Sequence, residues 1–182
     1  MKKIEIEIPE GKEAKWVNDM LTLVDEKPQD ITERIKTFDD AVKALGDNHP
    51  LVSQCYRAIA AFKYEPMSEN LIAYTKLRVI CAALNEGWKP TLDGEAYRYY
   101  VWFYIYTKEE YEKLDEEEKA HCVPLRSSVN ANANGGLVCA YAFVAGSFSY
   151  SYYGVRLALK TRELAEYCSK QFIDIWCDYL FG

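Results

Sequence analysis

Only two imidazoles are available to this 182-residue chain, His49 and His121. His49 stands in Asp47-Asn48-His49-Pro50, and His121 is followed directly by Cys122. Adjacent residues rarely ligate one metal, and no further Cys or His falls at zinc spacing, so no metal centre is expected. The acids Asp115-Glu116-Glu117-Glu118 lie between Lys113 and Lys119. General acid–base work needs a buried, perturbed carboxyl, whereas four acids flanked by lysines read as a solvated helix face. Ser127, Ser128 and the serines from 147 to 151 lack a GxSxG elbow. Asn134-Gly135-Gly136 has neither the GxGxxG spacing nor a phosphate-binding lysine, and reads as a turn between strands. Cys122 is the most exposed-looking thiol, and a helix-end cysteine of no special role fits it better than a nucleophile. Catalytic residues, metal ligands and cofactors are therefore all expected to be absent.

Binding is the better supported chemistry. Residues 127–155 contain no Asp, Glu, Lys or Arg, in a chain that is 27% charged. Ser, Tyr, Asn and Gly make up 15 of the 27 residues from 127 to 153, a palette of rigid aromatic contact and adaptable hydrogen bonding. Leu137 to Ala145 is apolar enough for a buried strand. The polar flanks 127–136 and 147–153 are harder to bury, because each amide and hydroxyl would need an internal partner. Asn130, Asn132, Asn134, Tyr150, Tyr152 and Tyr153 are accordingly the expected binding residues. Arg156 joins them, heading a modest basic grouping with Lys160 and Arg162. That grouping would receive an anion at the start of the last helix. Alternatively Arg156 and Lys160 face solvent and Arg162 pairs with Glu166.

Composition narrows the partners. A net charge of −6 argues against non-specific attraction to nucleic-acid backbone or an anionic membrane, and no dense Lys/Arg cluster offsets it. No run approaches the roughly 20 apolar residues of a membrane span. The start Met1-Lys2-Lys3-Ile4-Glu5-Ile6-Glu7 has no signal-peptide core, and the six cysteines form no CxxC pair. These features suit free thiols and a reducing cytoplasm, or a virion assembled there.

The elements that position such residues follow from periodicity. The expected fold class is α+β: an N-terminal β-hairpin or strand, a helical middle over 30–86, then a mixed β-sheet with a C-terminal helix packed on it. Residues 1–28 read as a small β appendage or edge strands, and 29–182 as one α+β domain. Ile4, Ile6 and Ile8 alternate with glutamates as a half-buried strand. Trp16-Val17 and Met20 to Val24 form a hairpin about Asn18-Asp19. Thr37 with Asp40 caps a helix that Gly46 stops, Pro50 opens the next, and Ser68 caps a third, wide-striped helix ending at Gly87. That third helix should lie at the centre of the core. Tyr97 to Tyr106 is strongly β-prone, with Arg98 as its one cation; a core strand showing an aromatic face to a partner is expected, not a base-stacking module. Thr107 with Glu110, and Asp115 with Glu118, are capping boxes. Val155, Leu157 and Leu159 alternate with Arg156, Ala158 and Lys160 as another half-buried strand. A single helix capped at Thr161 then runs from about 162 to 180, with Phe172 and Trp176 on its core face.

Four stretches together carry a resemblance. They are Asp40-Ala41-Val42-Lys43-Ala44-Leu45-Gly46, Ala82-Ala83-Leu84-Asn85-Glu86-Gly87-Trp88-Lys89-Pro90, Tyr97-Arg98-Tyr99-Tyr100-Val101-Trp102-Phe103, and the segment from Gly154 to Phe172. Over most of residues 30–181 the chain resembles a group of small uncharacterised proteins of gut bacteria and their tailed phages or prophages. The resemblance implies a mobile-element setting and brings no activity with it. The usual form has Gly-Ser-Arg-Leu in place of Gly154-Val155-Arg156-Leu157, and aromatic-Pro-Trp-Phe in place of Tyr100-Val101-Trp102-Phe103. Without that proline a longer strand is permitted here.

Two classes of function remain, with a structural variant. The first is a non-catalytic, phage- or prophage-associated binding protein that engages a protein partner or small ligand through the Ser/Tyr/Asn/Gly-rich surface. The second is a small enzyme or nucleotide-binding protein with a site near Ser127 to Gly136 and Arg156. A concave pocket where an Arg, a Tyr and an acid converge would favour that second reading. The structural variant is a virion-associated protein or homo-oligomer that exchanges its N-terminal strand between subunits.

Overall fold

The computed structural model describes residues 6–17, 19–25, 30–62, 69–90, 97–120, 122–124, 136–146 and 155–182, with 136–146 described by their backbone. The chain divides into two compact units, Met1–Arg34 and Ile35–Gly182. The fold class is α+β, with helices dominating the strands.

In the first unit, Gly11 takes φ 75 and lets the Lys12 N–H donate to the Pro9 carbonyl at 3.1 Å, a turn that launches the hairpin. Strand β1 (Lys12–Val17) pairs antiparallel with β2 (Met20–Asp25), Val17 facing Met20 across the turn, where Asp19 takes φ 61. The expected turn is thus formed, in spite of Asp19 having a side chain to accommodate at positive φ. The strand expected over 3–8 is not formed at 6–8: Ile6 and Ile8 are exposed, and β1 begins only after Gly11. A short helix α1 (Ile31–Arg34) closes this unit, its Asp30 carboxylate accepting from the Thr32 N–H at 2.8 Å.

The second unit is organised around one helix. Thr37 and Asp40 cap each other's backbone at the start of α2 (Phe38–Leu45), and the Gly46 N–H closes it on the Val42 carbonyl at 2.8 Å. Pro50 opens α3 (Pro50–Phe62). Helix α4 (Glu69–Leu84) buries Ala73, Leu77, Val79, Ile80, Cys81, Ala83 and Leu84, more than one stripe's worth, because α2, α3 and the later helix α8 (Ile173–Phe181) all pack on it. Its expected centrality is met, although Leu71 at its start is exposed. Ser68, the expected cap, lies outside the described residues.

Strand β3 (Tyr97–Tyr106) pairs antiparallel with β5 (Gly136–Gly146), which pairs antiparallel with the two-residue β4 (Val123–Pro124), giving the order β3-β5-β4. A register shift at Trp102/Phe103 accompanies a change of burial phase, from Arg98 and Tyr100 to Val101 and Phe103. Between β3 and β4, α5 (Lys108–Lys113) and α6 (Glu116–Ala120) are opened by the two expected capping boxes. Helix α7 (Arg162–Gln171), capped by Thr161, lies on β3 and β5. The single closing helix expected over 162–180 is two: the backbone breaks at Phe172 (φ −116, ψ 29) before α8 begins. The break lets α7 cover the sheet while α8 turns onto α4. No helix among the described residues is long and apolar enough to cross a membrane.

Residues 155–160 also depart from the strand that alternation predicts. Val155–Leu157 is a turn of 3-10 helix, Leu157, Ala158 and Leu159 are all buried, and one antiparallel bridge joins Leu159 to Tyr99. A side chain replaces the missing ladder. Asn85, buried just beyond α4, donates through Nδ2 to the Ala158 carbonyl at 2.9 Å, and its Oδ1 accepts from the Lys160 N–H at 3.0 Å. A sheet needs alternation; a segment clamped between a strand and a helix end can bury three residues in a row.

Two stability measurements check this architecture. Trp176 is wholly buried, 5.7 Å from Phe103 and 6.0 Å from Tyr179 between ring centroids, and Phe172, four residues earlier, is buried too. Truncating either to Ala should cost about 3–5 kcal/mol in denaturant unfolding; under about 1 kcal/mol would mean that the closing helices do not seal the core. Asn85→Ala strands a buried carbonyl and a backbone N–H, and should cost about 1–3 kcal/mol. Asn85→Asp, which sets a buried carboxylate oxygen against the Ala158 carbonyl, should cost at least as much, and a neutral Asn85→Ala would rule the clamp out.

Candidate functional site

The clamp that shapes 155–160 also builds a cleft. It is lined by Leu51 of α3, by Arg78, Ala82 and Asn85 at the end of α4, by Trp88, Lys89 and Pro90 just after it, and by Arg156 and Ala158. Its volume is about 320 Å³. The turn out of α4 follows from sequence. Glu86 at φ 49 and Gly87 at φ 85 reverse the chain, and the Trp88 N–H donates to the Asn85 carbonyl at 2.9 Å. Trp88 is thereby set against a buried pair, Tyr100 and Ala158. The Tyr100 hydroxyl is buried and has no hydrogen-bond partner among the described residues.

Three cations and no carboxylate line the cleft among the described residues. Arg78 is aimed by two neighbours: its Nη1 donates to Gln54 Oε1 at 3.2 Å, and its guanidinium sits 5.9 Å from the Tyr74 ring centroid. Lys89 and Arg156 are exposed and form no ion pair among the described residues. Lys160, by contrast, is committed to Glu86 at 3.2 Å. The carboxyl end of α4 contributes about half a negative charge nearby, which favours the cations in place. Against three full positive charges that half charge leaves the cleft net positive.

Arg156 is the one expected site residue that the structure places in this cleft. Asn130, Asn132, Asn134, Tyr150, Tyr152 and Tyr153 lie outside the described residues, as does His121. The basic grouping separates: Arg156 lines the cleft beside the end of α4, Lys160 pairs with Glu86, and Arg162 is exposed in the first turn of α7. Arg78, Trp88 and Lys89 were not signalled by sequence, since nothing in linear spacing joins 78–90 to 156. Trp88-Lys89-Pro90 following a helix-stopping glycine was the available hint.

Of the residues weighed for catalysis, His49, Asp115 and Cys122 are described; His121 and the serines at 127, 128 and 147 to 151 lie outside the described residues. His49 accepts the Leu51 N–H on Nδ1 at 3.3 Å at the start of α3. Asp115 accepts the Glu118 N–H at 2.7 Å as a helix cap. Burial, and then the Glu118 carboxylate, push the Cys122 thiol up, away from the thiolate a nucleophile needs. Cys55, Cys81, Cys122, Cys168 and Cys177 are free thiols. No group of three His, Cys, Asp or Glu among the described residues is placed to hold a metal ion. Comparison with protein-family models, curated proteins and solved structures finds no match to the chain.

Proposed function

We propose that this chain is a non-catalytic binding protein that holds a small anionic ligand in the cleft at the end of α4, in the mobile-element setting its resemblance implies. One observation carries the reading: in a chain of net charge −6, Arg78, Lys89 and Arg156 converge on one concavity that no carboxylate enters among the described residues. Scattered surface cations are ordinarily just solvated. Concavity changes that, because low-dielectric walls focus the field of the three charges on one small volume. An arginine pair without a converging acid suits holding an anion in place better than transferring a proton to or from it.

Exposed aromatic surface on β3 supports a second reading, a protein partner on the sheet. Tyr97, Tyr104 and Ile105 are exposed, and Tyr104 stacks on Tyr106 at 6.4 Å. Aromatic clusters of this kind favour interfaces.

Calorimetric titration with inorganic pyrophosphate tests the cleft. The native protein should bind, with affinity falling as salt rises. Lys89→Ala and Arg156→Ala, both at exposed positions, should each weaken binding roughly ten-fold, as loss of a charge-assisted hydrogen bond does. Lys160→Ala, whose charge is already paired, should change it little. No binding, or equal binding by the native protein and the Lys89/Arg156 double variant, would refute the reading.

A further inference from the structure

We propose that the ligand of this cleft is a nucleoside monophosphate, its base laid against Trp88 and its phosphate among Arg78, Lys89 and Arg156. The proposal rests on the cleft's being an anion site and accounts for the other part of its wall. Leu51, Ala82, Trp88, Pro90 and Ala158 are apolar, so a bare inorganic anion would leave most of the lining against water. A flat heteroaromatic ring joined to a phosphate covers both parts at once.

Three further features favour that ligand class. Trp88 is half-buried and packs against Tyr100 and Ala158, while its backbone N–H is tied to the Asn85 carbonyl at 2.9 Å. A wall ordered before the ligand arrives loses little freedom on binding. The volume, about 320 Å³, sits at the lower end of the roughly 300–1,000 Å³ typical of ligand pockets, which suits one nucleotide and not an oligomer. Finally, among the described residues lining the cleft, Asn85 is the one side-chain amide, and it is engaged with Ala158 and Lys160. The base is therefore held by its face, not read at its edge, and the four common bases should bind within a few-fold of one another.

The test titrates the native protein, at low ionic strength, with AMP, GMP, CMP and UMP, with ribose 5-phosphate, and with inorganic pyrophosphate. Stacking one base should give the monophosphates an advantage of roughly ten-fold or more over ribose 5-phosphate. Trp88→Leu, which keeps apolar bulk and loses the stacking face, should erase that advantage and leave ribose 5-phosphate binding unchanged. If Trp88→Leu fails to fold, the Trp88 indole N–H resonance of the native protein decides, moving with AMP and not with ribose 5-phosphate. Equal affinity for ribose 5-phosphate and all four monophosphates would overturn the nucleotide proposal and leave the anion site standing. So would an advantage that survives in Trp88→Leu, or an indole that AMP does not move. Failure of every probe, pyrophosphate included, would overturn both.

Discussion

One buried amide decides the shape of the region that matters most here. Asn85 lies just past the last turn of the central helix, where backbone groups are normally left to solvent or to a cap. Its side chain instead reaches across to Ala158 and Lys160, some seventy-five residues on, and satisfies one carbonyl and one N–H at 2.9 and 3.0 Å. That pair of bonds frees 155–160 from having to join the sheet through a full ladder. Leu157, Ala158 and Leu159 can then all be buried, with Cys81 Sγ 3.8 Å from the Leu157 carbonyl on the helix side. Arg156, on the same segment, is left exposed beside the turn that carries Trp88 and Lys89. The clamp acts beside the Tyr99–Leu159 bridge and the Lys160–Glu86 ion pair, which tie the same segment to β3 and to the turn after α4.

Local signals in the sequence were legible because their physics is local. Thr37 with Asp40, Thr107 with Glu110 and Asp115 with Glu118 each close a reciprocal cap within four residues, and Gly46 and Gly87 take the positive φ that ends a helix. The strand-like pattern of 155–160 misled because alternation cannot show that Asn85 offers a substitute for a neighbouring strand. The closing helix looked continuous because its apolar stripe is continuous; the break at Phe172 follows from having two surfaces to cover, the sheet and α4. In the site, Arg156 was visible as a cation directly after a charge-free stretch. Arg78, Trp88 and Lys89 belong to the same cleft only through tertiary packing, and no spacing rule connects them to it.

In the proposed anion site, electrostatics and packing would divide the work of the cleft. Net charge −6 keeps anions at a distance on average, so attraction must come from charges within about a Debye length, roughly 8 Å at physiological salt, of the ligand. Arg78 is held by Gln54 and Tyr74, which limits the freedom it would lose on binding. Lys160 is neutralised by Glu86, leaving Arg78, Lys89 and Arg156 as the cleft's positive set. Trp88, packed against Tyr100 and Ala158, shares the apolar part of the lining with Leu51, Ala82, Pro90 and Ala158.

The central claim is that these three cations act on one ligand. Nuclear magnetic resonance of the arginine side-chain Nε–H groups during a pyrophosphate titration tests it most directly. The account predicts that Arg78 and Arg156, seventy-eight residues apart in sequence, shift together along one saturating curve while Arg162 on α7 stays still. Shifts confined to Arg162, or separate curves for Arg78 and Arg156, would contradict it.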